Sequence, residues 1–453
     1  MAPTPGAGRG AGPQPWRRTV TLALSSEEGD IVSGREDVLV VGGGVVGACV
    51  AAALAERGAA VTLLEREPEV CPPESAVFAN CGLLVPSEVE PLAHPGALGQ
   101  GLRWMLDTTS PFYVRPRVSL ALMRWLWLFR SACAPEAAQA HARVLFELSA
   151  ASAALHDALA ADGGEAWHYR RNGWLAVYET AQGMDAAAAQ AARLQTLGVP
   201  SEVLSAADVR QRVPQVRPGS VVGGVLTPED GHMDPAAFTR AMASRAERAG
   251  ATIATGAEVY GFASGGPGAV RGVRTTRGDF VADQVVLAAG AWTAALAGQL
   301  GLRLPIEPAK GYSIDLARPA GLPDTPICVG EPHVVLTPLG DRLRLGSTLE
   351  LSGWDLRIRP RRLTHLRRAA ARVLGIAEDA PAGQVWRGPR PLTPDGLPVI
   401  GRSPRHPNVV FATGHCMLGL SLGPVTGKLV AELCAGETPS HDLEPLRVDR
   451  FAL

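Results

Sequence analysis

Residues 38–47, VLVVGGGVVG, decide the fold of this chain. The first four are valine or leucine, and such an unbroken apolar run predicts a strand buried on both faces. Gly42, Gly44 and Gly47 follow in the spacing G-x-G-x-x-G, and a helical pattern that ends near Gly58 comes next. Such glycines allow a tight turn, a close backbone approach to a diphosphate, and close packing of helix on strand. The stretch therefore predicts a nucleotide-binding βαβ unit.

A second strand pattern, AVTLLERE, contains Glu65, 18 residues after Gly47. An acidic side chain at this place accepts hydrogen bonds from ribose hydroxyl groups. It also disfavours a 2′-phosphate, because two negative charges would meet there. Strand, glycines, helix, strand and acid in this order disfavour an unrelated glycine-rich turn. The fingerprint alone leaves NAD and FAD open, because both carry a diphosphate and an adenosine ribose.

The patterns farther along the chain separate these two cofactors. A nicotinamide dehydrogenase usually continues with alternating strands and helices, whereas this chain has a long helical stretch from about residue 118 to 161. Buried strand patterns return only near Val285 and Val409. We therefore expect an α/β protein, α+β overall, with a Rossmann-like FAD-binding domain that is discontinuous in sequence and a mixed β-sheet substrate domain. The expected boundaries are 36–92, 222–303 and 386–440 for the FAD-binding domain, and 93–221 and 304–385 for the substrate domain.

The composition is that of an ordinary soluble enzyme. The 453 residues exceed what one core usually serves, which predicts at least two domains. With 19% charged residues and a net charge of −1, nothing favours a nucleic-acid partner. Seven cysteines without a C-x-x-C pair argue against a disulfide framework or a metal site, and favour a reducing cytoplasm. Residues 1–35 are rich in proline and glycine without periodicity, which predicts a disordered tail.

One apolar stretch, SLALMRWLWLFRSAC, raises the question of a membrane surface. Trp125 and Trp127 lie here between Arg124 and Arg130. The favoured interpretation is a half-buried helix that packs into a core, and the alternative is an interfacial helix that rests on a membrane. No unbroken run of eighteen apolar residues occurs, so no transmembrane helix is expected. We expect a cytoplasmic protein, with a peripheral contact to the inner face of the membrane left open.

Several further motifs occur together and in order: SAVFANCGLLVP, EPLAHPG, PIEPAKGYSIDL, WRGPRPLTPDGLPVIG and FATGHCMLGLSLGP. With these motifs the chain resembles the D-amino-acid oxidase superfamily of FAD-dependent enzymes, and within it the bacterial D-amino-acid dehydrogenase small subunit family. The resemblance covers about residues 38–451. The chain departs from the family's usual pattern at Pro389, near Leu420 and near His333, positions that bear on the substrate more than on the fold.

The resemblance implies non-covalent FAD and oxidation of a D-amino acid to the imino and then the keto acid, with the hydride of the α-carbon passing to flavin N5. Oxygen or a quinone would accept the electrons, and the oligomeric state is left open. Two alternatives remain. One is oxidation of a secondary amine of the sarcosine, glycine or D-proline and hydroxyproline type. The other is a flavin-binding subunit without catalysis.

Three residues are expected at the substrate. Arg390 lies between two prolines, which stiffen the backbone and project its guanidinium. By residue chemistry alone it either binds a substrate carboxylate or pairs structurally with an acid such as Asp395, and the resemblance favours the carboxylate. Tyr312 either reaches the substrate carboxylate, shapes the pocket over the flavin, or packs structurally. His415 either positions the substrate amine or is a turn residue.

Lys310 shares a strand face with Tyr312, and is either a salt-bridge partner or a positive charge near the flavin. The helix that opens near Gly419 is expected to point its N-terminus at the flavin, where reduction collects negative charge. The residues expected to contact the cofactor are Gly42, Gly44, Val45, Val46, Gly47, Glu65, Arg66, Asn80, Gly82, Val259, Gly290, Gly414, Gly419 and Leu420.

Overall fold

The computed structural model describes residues 37–87, 91–97, 99, 112–196, 198–266 and 268–451. The predicted disordered tail lies outside these residues. The strands are β1 (Asp37–Val41), β2 (Ala60–Leu64), β3 (Leu83–Leu84), β4 (Phe112–Val114), β5 (Trp174–Tyr178), β6 (Glu202–Ser205), β7 (Gly223–Thr227), β8 (Gly231–His232), β9 (Thr252–Ala254), β10 (Val259–Ser264), β11 (Val270–Thr275), β12 (Gly278–Val281), β13 (Gln284–Leu287), β14 (Glu307–Ala317), β15 (Ile327–Val329), β16 (Val334–Leu339), β17 (Arg342–Leu351), β18 (Val385–Leu392), β19 (Val399–Arg402) and β20 (Val409–Thr413).

The helices of the described residues are α1 (Val45–Glu56), α2 (Leu120–Ala132), α3 (Pro135–Ala161), α4 (Ala181–Thr196), α5 (Ala206–Arg212), α6 (Pro235–Arg248), α7 (Thr293–Gln299), α8 (Pro360–Leu374) and α9 (Gly419–Cys434). Short 3-10 turns occur at Gly164–Trp167, Gly290–Trp292, Glu444–Leu446 and Val448–Phe451.

A six-stranded sheet carries the glycine fingerprint, with the order β19-β20-β13-β1-β2-β9. Its strands pair in parallel except for β19, which is antiparallel to β20. Val38 and Val40 face a core shared with α1 and α9, whereas Leu39 and Val41 face a core shared with the small antiparallel sheet β10-β11-β12. The sheet is therefore covered on both faces, as the unbroken apolar run of β1 predicts.

Helices α1 and α9 pack closely on this sheet because α9 presents glycines to α1. A Cβ at Gly427 would lie 2.6 Å from the Cys49 carbonyl oxygen, and one at Gly423 would lie 3.1 Å from Cys49 Sγ. Any larger residue at position 427 would push the two helices apart. This close approach brings the N-termini of both helices to the same end of the sheet.

A second, mixed sheet has the order β18-β14-β17-β16-β15-β5-β7-β6, with β4 paired to β17. Pairs β15-β5 and β17-β4 are parallel, and the other pairs are antiparallel. Helices α8, α5 and α4 contact this sheet. The α/β class with a Rossmann-like sheet and a mixed sheet is confirmed.

The sheets differ from the expected domain boundaries at two strands. Strands β7 and β18 were placed in the FAD-binding segments, but both pair in the nine-stranded mixed sheet. Strand β18 contains Pro389 and Pro391, and it lies at the edge of that sheet, where a missing N–H group costs no ladder bond. The two-domain division itself stays a prediction.

Helix α3 is long and apolar enough to cross a membrane by length and composition alone, although 28% of its most apolar window is buried in the protein. It packs along α9, where the Val425 N–H contacts Ser152 Oγ at 3.4 Å. His156 Nε2 lies 3.2 Å from the carbonyl oxygens of both Leu420 and Ser421. Through these contacts α3 packs against α9 within the folded protein.

Candidate active site

The glycines of the fingerprint have separate structural tasks. Gly42 has a φ of +115°, and a Cβ there would lie 2.7 Å from the Ala288 carbonyl oxygen. A Cβ at Gly47 would lie 1.9 Å from the Gly42 carbonyl oxygen, so Gly47 lets α1 lie against the turn. A Cβ at Gly44 would meet only Ser75 Oγ, at 3.7 Å. Gly44 therefore leaves the N-terminus of α1 open to a ligand.

Two helix N-termini face one cavity. Helix α1 begins after Gly44 and α9 after Leu418, and neither has a side-chain cap or an acidic residue in its first turn. Val45, Val46, Gly419 and Leu420 from these first turns line the cavity. Uncapped N–H groups and the positive ends of two helix dipoles favour a ligand with negative charge.

Glu65 follows β2, and its side chain lies against the glycine turn. Its Oε2 accepts the Gly43 N–H at 2.8 Å and its Oε1 accepts the Glu67 N–H at 2.9 Å. Burial raises the pKa of the carboxyl, and the two backbone hydrogen bonds oppose that rise. The carboxylate is thus fixed in place with lone pairs left to accept further hydrogen bonds.

Arg66 next to Glu65 is stacked on an aromatic ring. Its guanidinium carbon lies 4.2 Å from the ring centre of Trp292, and its Nε lies 3.0 Å from Glu67 Oε1. Arg66 and Trp292 both line the same cavity. The cation–π contact gives this wall a flat, positively charged surface.

This first cavity has a volume of about 380 Å³. Most of the predicted cofactor residues line it, namely Gly42, Gly44, Val45, Val46, Glu65, Arg66, Asn80, Val259, Gly290, Gly414, Gly419 and Leu420. Gly47 does not line it, because it serves helix packing. Gly82 lines a second cavity instead, where its φ of +69° and its proximity to the Met233 carbonyl oxygen require glycine.

The residues of the first cavity fit a flavin adenine dinucleotide. The open N-termini of α1 and α9 suit a diphosphate and the N1 and O2 end of a flavin, and Glu65 suits a ribose. No cysteine that could attach the flavin covalently lies in the 387–395 segment or beside Tyr312.

The second cavity has a volume of about 650 Å³ and shares four lining residues with the first. These are Asn80, Arg390, Met417 and Leu420. A group bound at these four residues would touch both cavities. The shared wall is therefore where a substrate can meet a cofactor.

Arg390 is the charged side chain of that shared wall. Its Nη1 donates to the Thr348 carbonyl oxygen at 2.7 Å, and its guanidinium covers Gly311, where a Cβ would lie 2.4 Å from Nη1. Asp395 Oδ2 lies 2.7 Å from Arg450 Nε, so Asp395 is not the structural partner of Arg390. No acidic side chain of the described residues pairs with Arg390. Burial lowers the pKa of its guanidinium, which nevertheless stays charged.

The structure corrects the expectation for Tyr312. This side chain is buried in the core between β14 and α8, and its hydroxyl donates to Glu350 Oε2 at 2.9 Å. Tyr312 lines neither of the two large cavities. Gly311, its neighbour, faces Arg390, and successive residues of a strand point to opposite faces. The tyrosine therefore lies on the side of the sheet away from the substrate.

Lys310 is a salt-bridge partner rather than a positive charge near the flavin. Its Nζ donates to the carbonyl oxygens of Asp355 at 2.6 Å and Arg357 at 3.0 Å, and lies 3.6 Å from Glu350 Oε1. Lys310 lines neither of the two large cavities. Both Lys310 and Glu350 are completely buried. The pair stabilises the side of the mixed sheet that faces α8.

His415 lines the first cavity with a ring that is already bonded to α9. Its Nε2 lies 2.9 Å from Thr426 Oγ1, and that hydroxyl donates to the Leu422 carbonyl oxygen at 2.8 Å. Because the hydroxyl has one proton, Nε2 must donate, which assigns the Nε2–H tautomer. Burial lowers the pKa of His415 to about 3. The neutral ring supports the structural interpretation.

Sequence reasoning missed Thr348, Cys81 and Trp292. Thr348 and Cys81 line the second cavity near Arg390, and Trp292 lines the first. Nothing in the alternating pattern of β17 marks Thr348, since its role depends on backbone geometry. Trp292 did carry a signal, because it follows the carboxyl end of β13, where open α/β sheets bind ligands.

The sequence pattern of the FAD-dependent oxidoreductase family matches residues 37–433. The chain belongs to this family. This protein is therefore an FAD-dependent oxidoreductase, and FAD is its cofactor.

The curated relatives of this FAD-dependent oxidoreductase are similar along almost the whole chain. The D-amino acid dehydrogenase of Granulibacter bethesdensis is 34% identical over 420 residues, which cover 92% of this chain and 99% of the relative. The D-amino acid dehydrogenase of Cereibacter sphaeroides is 33% identical over 418 residues, covering 91% and 95%.

Among solved structures, glycine oxidase from Geobacillus kaustophilus superposes with a TM-score of 0.74 at 26% identity and covers 92% of this chain and 99% of its own. Iminodiacetate oxidase from Chelativorans sp. superposes with a TM-score of 0.70 at 23% identity, which shows a shared fold. The names of the two D-amino acid dehydrogenases and of glycine oxidase denote oxidation of amino acids, which together with the family match supports FAD-dependent amine oxidation.

Proposed function

We propose that this protein oxidises a D-amino acid to the imino acid. One observation carries the proposal: Arg390 is half-buried, has no carboxylate partner among the described residues, and lies in the wall shared by the two cavities. A planar guanidinium in that position binds a carboxylate at two points. The substrate's α-carbon is thereby held next to the cofactor cavity.

The reaction needs little from the protein beyond orientation. FAD, when held in the first cavity, would supply the two-electron acceptor for the hydride of the α-carbon. The amine enters neutral, its nitrogen lone pair forms the C=N bond as the C–H bond breaks, and the iminium loses a proton to water. Water then hydrolyses the imine to a keto acid and ammonia. Arg390 holds the carboxylate throughout, and the neutral His415 is not required as a base at the α-carbon.

The D configuration in this proposal comes from the names of the curated relatives. Glycine oxidase shares the fold, which keeps secondary amines and glycine as the alternative. Adding D- and L-amino acids, glycine, sarcosine and D-proline one at a time without oxygen separates the substrates by the loss of flavin absorbance. Bleaching by D-amino acids supports the proposal, and bleaching by sarcosine or glycine alone favours the alternative. A flavin that no amine reduces favours a flavin-binding subunit without catalysis.

We also propose that the protein works in the cytoplasm against the inner face of the membrane, with oxygen or a quinone as the electron acceptor. Helix α2 supports this placement. Its Leu122, Trp125 and Phe129 are buried, but Met123 and Trp127 are 51% and 53% exposed. The predicted half-buried helix is thus also apolar on its outer face.

Charge around α2 favours an anionic bilayer. Residues 112–135 contain four arginines and no acidic residue; Arg115 and Arg117 pair with Asp355 and Glu307, whereas Arg130 is exposed at the end of the helix. Co-sedimentation with phosphatidylglycerol vesicles, and with phosphatidylcholine vesicles for comparison, tests this contact. Met123→Ser with Trp127→Ser should release the protein, whereas Val203→Ser, at an exposed valine of β6, should not. Equal binding by both variants would remove α2 from the contact.

A further inference from the structure

We infer that the second cavity is a chamber for a bulky apolar side chain, so that the substrates of this protein are amino acids of the leucine, methionine and phenylalanine class. This inference rests on the proposed function, because Arg390 must hold the carboxylate at one end of the chamber. It goes beyond that function because it names the class of substrate side chain that occupies the other end of the chamber.

The size of the chamber is the first argument. About 650 Å³ is open beyond the shared wall, within the range of about 300 to 1,000 Å³ typical of small-molecule sites. The methyl group of alanine would leave nearly all of this volume to water. A leucine or phenylalanine side chain would replace that water and bury apolar surface against apolar walls.

The chemistry of the wall is the second argument. Trp125 and Phe129 of α2 stack with ring centres 5.2 Å apart, and both line the chamber with Phe112 and Leu349. The Trp125 Nε1–H already donates to the Leu392 carbonyl oxygen at 3.0 Å, so its polar atom is used within the protein. What this part of the wall offers a ligand is aromatic and aliphatic surface.

Two polar groups of the wall near Arg390 are also bonded to the protein. Ser347 Oγ donates to the His333 carbonyl oxygen at 2.6 Å, and the Thr348 carbonyl oxygen accepts from Arg390. A polar substrate side chain at these two groups would compete with existing hydrogen bonds, whereas Thr348 Oγ1 and Trp174 Nε1 have no partner among the described residues. An apolar side chain leaves them intact.

Charge excludes one class of side chain. The chamber walls in the described part of the chain carry Arg130 and Arg390 and no aspartate or glutamate. A lysine or arginine side chain would meet no counter-ion among the described lining residues, and desolvating an unpaired charge is costly. Arg130 lies at the exposed side of α2, so the charge of the described lining residues favours a distal carboxylate over a distal cation.

Steady-state kinetics on the FAD-loaded protein test this inference. We expect kcat/KM to rise by about 10- to 100-fold from D-alanine to D-leucine or D-phenylalanine, the gain expected from burying such a side chain. D-Lysine should be the poorest of the series. A best substrate among D-alanine, D-lysine and D-glutamate would overturn the inference while leaving the proposed function intact.

A steric variant places the side chain in the chamber. Val335 of β16 lines it and is half-buried, so Val335→Phe should lower kcat/KM at least tenfold more for D-phenylalanine than for D-alanine. Leu349→Phe is a second variant of the same kind if the first retains no FAD. Val281→Phe, at a 58% exposed valine of β12, is the matched control. Equal losses for both substrates would contradict the inference.

Ligand binding tests the chamber without turnover. The shift in the bound flavin's absorbance gives the Kd of simple carboxylates, and 3-phenylpropanoate should bind about 10- to 100-fold more tightly than acetate. If no amino acid reduces the flavin but this ratio holds, the proposed function fails and the apolar chamber stands. Equal affinity of the two carboxylates would overturn the chamber.

Discussion

Arg390 donates from Nη1 to the carbonyl oxygen of Thr348 at 2.7 Å, and Thr348 has a left-handed φ of +73°. The pairing of β14 with β17 shifts here, because Gly311 lies opposite both Thr348 and Leu349. A bulge of this kind turns a carbonyl out of the ladder. A β-branched residue rarely adopts this conformation, and strained residues collect at functional sites. The left-handed backbone conformation at Thr348 thus positions the carbonyl that holds the guanidinium.

Arg390→Met should lower kcat/KM for the best amino acid by roughly thirtyfold to several thousandfold. Loss of a two-point ion pair in a buried site costs about 2 to 5 kcal/mol, partly because the substrate carboxylate is left unpaired. FAD should stay bound, and kcat should fall as KM rises because the α-carbon loses its orientation. Steady-state kinetics measure the change. Arg387→Met, on the same strand but outside both large cavities, is the control, and near-normal turnover by Arg390→Met would refute the anchor.

Thr348→Gly should keep kcat/KM within a few-fold and leave stability equal or higher. Glycine adopts a positive φ without strain, so the carbonyl that holds Arg390 stays in place. The substitution also removes Oγ1, a buried hydroxyl without a hydrogen-bond partner. Chemical denaturation compares this variant with Ser347→Gly, which has no strain to relieve and loses a hydrogen bond to His333. A large loss of activity in Thr348→Gly would mean that the side chain itself contributes.

Tyr312→Phe should reduce stability but leave kcat and KM unchanged. The phenol donates to the completely buried Glu350, and a hydrogen bond to a charged group contributes about 1.5 to 3 kcal/mol. The ring lines neither of the two large cavities, so the substrate should not sense the change. Thermal unfolding and steady-state kinetics on the same preparation separate the two effects. A tenfold loss of kcat at unchanged stability would restore a catalytic role.

Glu65→Gln should weaken FAD binding by about 1 kcal/mol or somewhat more, because charge-assisted hydrogen bonds to ribose become neutral ones. The glutamine has a single acceptor oxygen, so one of the backbone bonds from Gly43 and Glu67 is lost as well. Titration of the apoprotein with FAD gives the Kd. Glu67→Gln is the control, since Glu67 pairs with Arg66 at the edge of the site. Unchanged FAD affinity in Glu65→Gln would remove Glu65 from the site.

His415 should make the protein less stable as the pH falls. Its pKa is about 3 in the folded chain and near the ordinary 6.5 in the unfolded chain, so between these values the unfolded chain binds more protons. Stability is therefore fully retained above pH 6.5 and decreases below it, by at most about 1.4 kcal/mol per pH unit for this residue. His415→Asn should flatten the decrease. Denaturation curves from pH 7 to pH 4 test this, and identical slopes for both proteins would contradict it.

The sequence by itself determined the elements that depend on local chemistry. The apolar run of β1, the spacing of Gly42, Gly44 and Gly47, and the acid at Glu65 specify a nucleotide-binding unit, because each acts within one βαβ segment. Arg390 between two prolines was also visible, since the rigid backbone around it is a local property.

Only the tertiary structure decided what lies on each side of the mixed sheet. Alternation along β14 shows that Lys310 and Tyr312 share a face, but both faces of the strand are buried, so the pattern cannot tell which one meets the substrate. The partner of Arg390 was equally hidden. Thr348 lies 42 residues before Arg390 in sequence. Its carbonyl reaches the guanidinium only because of a bulge in the pairing of β14 with β17, two strands that are far apart in the chain.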